Sequence, residues 1–331
     1  MAATTQRGET PGHKPVRVGV VGVGIMGFNH ARVLADLPNV ELVGVADPDR
    51  SQAMRVGKAL GCEAVASHKN LIDLGIDAMV IAAPTHLHHM IAIECISAGV
   101  HVLVEKPIAP SVEEGRQIVA SARTKGVKLM VGHVERFNPS VQTIKQAIKG
   151  ERILSIGITR VGPFPPRMSN VGVVIDLAVH DIDLIRWFTE SDIVEVQPQL
   201  SSVRATREDI ALLQFRTASG VLAHINTNWL TPFKARTVHI ATHDKYVIGD
   251  LLTRQVTECF GFQPDGSYSM RHLSVGYAEP LRSELLAFTD AVRNGTETAV
   301  TGEEGVASLE IAIRCLNGTG HAAPKAARLV G

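Results

Sequence analysis

Over its first 134 residues the chain alternates short apolar runs with longer stretches that are apolar on one side only. VRVGVV (16–21), ELVGVAD (41–47), DAMVIAAP (77–84), HVLVEKP (101–107) and VKLMVGHV (127–134) have the length and β-branched content of buried strands. FNHARVLADL, HLHHMIAIECISAG and SVEEGRQIVASARTKG lie between them and read as helices, the last opened by Ser111 and Glu114 at capping-box spacing. This alternation predicts a doubly wound parallel sheet with helices on both faces. Beyond about residue 150 the period changes. RILSIGITRVG, VEVQPQLSSVR, DIALLQFRT, GVLAHINTNWL, ARTVHIATHD and KYVIGD are strand-like runs joined by short turns, with TASG (217–220) as a hairpin turn. They predict a second, α+β unit with a large, mostly antiparallel open sheet. One helix near 176–188 precedes most of it, and helices near 281–294 and 303–317 close the chain. The expected organisation is a flexible tail at 1–14, a first domain at 15–134 and a second at 135–331, its last helices folding back on the first.

The turn after the first strand gives the first unit a chemistry. GVGIMG sets Gly22, Gly24 and Gly27 in the G-x-G-x-x-G pattern, between a strand and a helix. Gly22 allows the tight turn, Gly24 lets a pyrophosphate approach the backbone, and Gly27 lets helix and strand pack closely. The helix N-terminus then offers free N–H groups to an anion. Asp47 ends the next strand, about 20 residues past Gly27, where an acid accepts the ribose hydroxyls of NAD. Its charge opposes a 2′-phosphate, so NAD is expected rather than NADP; Arg50 is the neighbour that could reverse the preference.

Composition narrows the classes. Hydrophobic residues make up 45% and charged residues 20%, the balance of a globular protein with a sizeable core. Lys+Arg and Asp+Glu both number 33, which argues against a nucleic-acid partner. No apolar run approaches the roughly 18 residues of a membrane span. Cys62, Cys95, Cys259 and Cys315 are scattered, as in a reduced, cytoplasmic protein. His86, His88 and His89 cluster without a carboxylate or cysteine at ligand spacing, so no metal is expected.

GVVIDLAVHDID (172–183) places ionisable residues in an otherwise apolar helix. At i, i+4 and i+7, Asp176, His180 and Asp183 would share one face, with Asp181 pointing elsewhere. A polar core satisfied by carboxylates accounts for such a segment as well as a catalytic site does.

With APTHLHH, EKP and D-x-x-x-H-x-x-D in place, the chain resembles the Gfo/Idh/MocA oxidoreductases over nearly its whole length. The resemblance implies a Rossmann domain that binds NAD(P) and a sheet domain that presents a sugar or cyclitol at the crevice. Lys106 matches the lysine of the EKP motif. Asp176 and His180 match the D-x-G-x-H motif, with Ala178 in place of its glycine. Catalysis would then rest on Lys106, His180 and Asp176, with either Lys106 or His180 as the base and Asp183 orienting the imidazole or capping local structure. Cofactor contacts would fall on Gly22, Gly24, Ile25, Met26, Gly27, Asp47, Pro84, Thr85, His88, Glu105 and Lys106. GHVERFNP (132–139), RVGPFPPR (160–167) and VIDLAVHDID (174–183) look like the branch that oxidises the 3-hydroxyl of UDP-N-acetylglucosamine. Its ketone product suits a downstream aminotransferase, and the branch implies a place in lipopolysaccharide biosynthesis. A diphosphate needs fixed cations, for which Arg136, Asn138, Arg160 and Arg167 are the candidates beside Asp176 and His180; the arginines could instead form inter-domain ion pairs. The alternatives are a dehydrogenase of a free sugar or inositol, and an NAD-binding sensor without turnover. A one-sided open sheet also predicts a homodimer or homotetramer, with strands 221–230 and 235–242 and Trp229 on the contact face.

Overall fold

The computed structural model describes residues 14–165 and 171–318. Residues 1–13 of the expected tail at 1–14, and Arg167, lie outside the described residues. The first sheet is built from β1 (Val16–Val21), β2 (Val40–Ala46), β3 (Glu63–Val65), β4 (Ala78–Ile81), β5 (His101–Glu105) and β6 (Leu129–Gly132). All neighbours are parallel, in the order β3-β2-β1-β4-β5-β6. The chain reverses its direction of travel between β1 and β4, and the crevice at the carboxyl ends of these two strands is where such sheets bind ligands. The connecting helices are α1 (Ile25–Ala35), α2 (Arg50–Leu60), α3 (His68–Asp73), α4 (His88–Ser97) and α5 (Val112–Lys125). Val18, Val20, Met79, Val80, Leu103 and Met130 are fully buried between the two helical layers.

After α6 (Pro139–Ala147) the second sheet begins with β7 (Ile153–Val161), followed by α7 (Val179–Thr189). The remaining strands are β8 (Ile193–Ser201), β9 (Ile210–Thr217), β10 (Leu222–Asn228), β11 (Ala235–Thr242), β12 (Lys245–Asp250), β13 (Gln255–Phe260) and β14 (Ser269–Leu273). Their order is β14-β13-β12-β11-β7-β10-β9-β8, antiparallel except where β7 meets β10. β9 shows why only one face is covered: Ala211, Leu213 and Phe215 point into the core, while Leu212, Gln214 and Arg216 point out. Leu222, Tyr246 and Met270 also lie on exposed strand positions. Trp229 does not belong to that outer surface. It is 3% exposed and packs edge to face on Phe164, so the expectation that it anchors a contact face is corrected.

Two helices close the described chain, α8 (Pro280–Asn294) and α9 (Gly302–Asn317). Leu281, Leu285 and Phe288 of α8, with Val306 and Leu309 of α9, join the core of the first sheet. Ile311, Ala312 and Cys315, further along α9, join the core of the second. α9 lies tight against β6 because a Cβ on Gly302 would sit 2.4 Å from Leu129, and one on Gly305 2.5 Å from Val131. Among the described residues no helix is long and apolar enough to cross a membrane.

Candidate active site

The glycine turn is shaped as its chemistry requires. Gly22 has φ +81°, and a Cβ there would lie 2.6 Å from the Ala83 amide nitrogen. At Gly27 a Cβ would overlap the Gly22 carbonyl oxygen at 1.7 Å, so the helix can start here only with glycine. Gly24 faces open space and precedes α1, whose first turn has no side-chain cap and no acid. By contrast α2, α3, α5 and α6 are capped by Asp49, Ser67, Ser111 and Asn138. Ile25 is 75% exposed beside the uncapped amides, an apolar surface for a ligand to cover. Asp47 steadies the loop by accepting the N–H groups of Val23 and Asp49, both at 2.9 Å. Each of its oxygens retains a second lone pair for a ribose hydroxyl.

Two of the expected cofactor contacts are engaged with the protein itself. His88 is buried, with one ring nitrogen 2.9 Å from the Pro107 carbonyl and the other 2.8 Å from that of Ala83. It links the loops after β4 and β5. Glu105 pairs with fully buried His30 at 2.7 Å. Nearby on α8, Glu284 is buried with neither carboxylate oxygen hydrogen-bonded, and burial, then the Glu105 charge, push it well above the usual carboxylate range. Pro84 is exposed and Thr85 half-buried at the same strand ends.

The second sheet brings its acid and histidine to this edge. The helix entry at Gly172 is close to Glu208, which overlaps the position of a Cβ there. The Glu208 carboxylate accepts the Val174 N–H at 3.2 Å and its carbonyl accepts that of Val173 at 2.9 Å, fixing where the helix starts. Val174–Ala178 then wind as a π turn before α7. The wider turn alters the helical phase assumed for positions 176, 180 and 183. The structure brings together Lys106 and Asp176: the ammonium donates to the Asp176 carbonyl at 2.7 Å and to its Oδ1 at 3.3 Å. His180 is half-buried, and its Nδ1 has no hydrogen-bond partner among the described residues. Burial, then the charges of Lys106 and Arg160, hold its pKa well below the ordinary imidazole value of 6.5, so the ring is neutral at pH 7. His133, which the sequence reading passed over, meets His180 edge to face with ring centroids 6.3 Å apart. It sits just past the carboxyl end of β6, the position class that EKP occupies after β5, and that was the available signal.

Asp183 does not orient His180. It takes Arg136 through two bonds of 2.7 Å, receives the Ser308 hydroxyl at 3.3 Å, and lies 3.9 Å from His133 Nδ1. Arg136 completes its set on Glu304, whose other oxygen accepts the Thr301 N–H in the α9 capping box. Arg160 holds Asp181 at 2.8–3.0 Å and Glu135 at 2.8 Å. Both guanidinium groups are buried and fully engaged, so the assignment of Arg136 and Arg160 to substrate phosphates is corrected: they are internal ion pairs. Asn138 caps α6 and donates to Glu135 at 3.3 Å.

Comparison with known proteins gives the same picture at larger scale. Residues 16–133 match the model described as the oxidoreductase family with an NAD-binding Rossmann fold, and residues 159–248 match the GFO/IDH/MocA C-terminal domain. The chain is 32% identical over 238 residues to a UDP-N-acetylglucosamine 3-dehydrogenase of Acidithiobacillus ferrooxidans, covering 72% of this chain and 74% of that one. It is 31% identical over 319 residues to inositol 2-dehydrogenase 1 of Saccharopolyspora erythraea, covering 91% and 93%. The solved structure of the A. ferrooxidans dehydrogenase superposes with a TM-score of 0.85 at 27% identity, over 92% of this chain and 97% of that one.

Proposed function

The chain belongs to the Gfo/Idh/MocA family of NAD-binding oxidoreductases, and on that premise we propose that it oxidises the 3-hydroxyl of UDP-N-acetylglucosamine to a ketone. The observation that carries the reading is the Lys106–Asp176 contact, which joins a strand end of one sheet to the helix of the other beside a neutral histidine. NAD, when bound, supplies the hydride acceptor. The protein's own work is the proton. His180, neutral at pH 7, takes it from the sugar hydroxyl, and the Lys106 ammonium stabilises the oxyanion as it develops. Asp176 holds that ammonium in place. A sensor without turnover would have no need of such a set.

The substrate assignment is supported by the A. ferrooxidans relative and by the GHVERFNP, RVGPFPPR and VIDLAVHDID stretches. A second reading, oxidation of a neutral sugar or inositol, draws support from the inositol dehydrogenase relative and from the engagement of Arg136 and Arg160. Purified protein with NAD should form NADH from UDP-N-acetylglucosamine and little from N-acetylglucosamine or myo-inositol. Equal turnover of a neutral sugar would transfer the assignment to the second reading. The bare face of the second sheet, with Leu212, Leu222 and Tyr246 on it, is covered by another copy of the chain in this proposal. A monomer at micromolar concentration in light scattering would contradict it.

A further inference from the structure

With Arg136 and Arg160 engaged internally and Arg167 outside the described residues, the anion of a nucleotide sugar has a further candidate receptor. The pairing of β7 with β11 sets Arg160 directly opposite Arg236. Both reach the same oxygen, Glu135 Oε1, Arg160 at 2.8 Å and Arg236 at 3.2 Å. The carboxylate is therefore shared, and the closer donor is Arg160, which also holds Asp181. Their exposure differs sharply: the Arg160 side chain is 4% exposed and that of Arg236 38%. Partial burial and the Arg160 charge hold Arg236 below the ordinary arginine value, against the pull of Glu135, Asp181 and Asp176. Arg236 therefore holds the looser share of Glu135, and it lies within electrostatic reach of Asp176 and His180. Lys234, two residues earlier and exposed, lies along Gly162, just past β7.

We propose that Arg236 receives the anionic group of the substrate, a phosphate or diphosphate borne by the sugar, and so sets a preference for phosphorylated over neutral substrates. A guanidinium can pair two phosphate oxygens at once, and the bond given up is the weaker half of a shared one. Glu135 stays with Arg160 when Arg236 turns outward, so the internal pair is undisturbed. This inference rests on the nucleotide-sugar reading and deepens it.

The experiment compares wild type, Arg236→Gln and Arg236→Lys in steady-state kinetics, with inorganic pyrophosphate as a competing anion. Arg236→Gln should raise the KM for UDP-N-acetylglucosamine by about 10- to 100-fold, the range for a lost charged hydrogen bond, with kcat within about threefold. Arg236→Lys should recover part of the loss, and melting temperatures close to wild type should accompany both. An unchanged KM in Arg236→Gln, with wild type active on the nucleotide sugar, overturns the inference and leaves the functional reading standing. A wild type that oxidises only neutral sugars overturns the substrate reading instead. The pyrophosphate arm then decides: inhibition weakened about tenfold in Arg236→Gln retains the anion site, and equal inhibition removes it.

Discussion

Two sets of polar side chains meet at the helix 174–189, and they are finished to different degrees. In one, Arg136, Asp183 and Glu304, with Arg160, Asp181 and Glu135, answer each other at 2.7–3.0 Å, all of them buried except Glu304, which is half-buried. In the other, Lys106 makes one close contact and one loose one, and the Nδ1 atoms of His180 and His133 have no hydrogen bond among the described residues. Completed pairs fix the distance between the sheets. Incomplete ones keep lone pairs and protons available to a reacting hydroxyl. Chemistry sits where satisfaction stops.

The largest effect should come from the incomplete set. Lys106→Ala and His180→Ala are each expected to lower kcat by about 10²- to 10⁴-fold while NAD binding, followed by fluorescence or calorimetry, persists. Near-wild-type turnover in both variants would erase the distinction. Next comes the completed set: Asp183→Asn leaves Arg136 buried with half its partners, at a cost of about 3–5 kcal/mol in urea unfolding. A loss below about 1 kcal/mol would mean that these pairs do not hold the frame. A third effect is read in pH. Because the folded pKa of His180 is depressed below 6.5, its neutral form outlasts an ordinary histidine on acidification. The profile of kcat/KM should therefore stay level from pH 8 to 6.5 and bend only below that. The same depression, shared by His133, lowers stability as pH falls beneath 6.5, since the unfolded chain binds those protons first. A bend at or above 6.5 would assign the base elsewhere.

The smallest effect concerns Glu284, an unsatisfied acid that stands behind the crevice. Its raised pKa means that its contribution is intact below about 4.5 and is lost as pH rises, because the unfolded state sheds the proton more readily. Glu284→Gln should thus gain stability on wild type at pH 8 relative to pH 5 in urea unfolding. No difference between the two pH values would show that Glu284 has found a partner.

What could be read from sequence was whatever is encoded locally. Gly22, Gly24, Gly27 and Asp47 declare themselves because a turn, a helix start and a strand end follow one another along the chain. The roles of Arg136 and Arg160 were hidden, because their partners Asp183 and Asp181 are 47 and 21 residues away and the pairing exists only after packing. α6, β13 and β14 were missed for a related reason: PSVQTIKQA, QVTECF and SMRHL carry too few apolar residues to show a period. The π turn at Val174–Ala178 left no mark in the sequence, since Glu208, which fixes where it begins, belongs to a distant loop.

α9 carries a consequence for how the molecule comes apart. Its first turns are seated against β6 through Gly302 and Gly305, and the segment leading into it adds a Val131 N–H to Val300 carbonyl bond and a Thr298 hydroxyl bond to the Leu129 carbonyl. Its last turns are embedded in the core of the other sheet. Neither sheet can loosen without exposing part of a helix that the other depends on. Amide protons in the two cores should then exchange as one cooperative unit, and damage to the outer sheet will be felt as faster opening of the dinucleotide crevice.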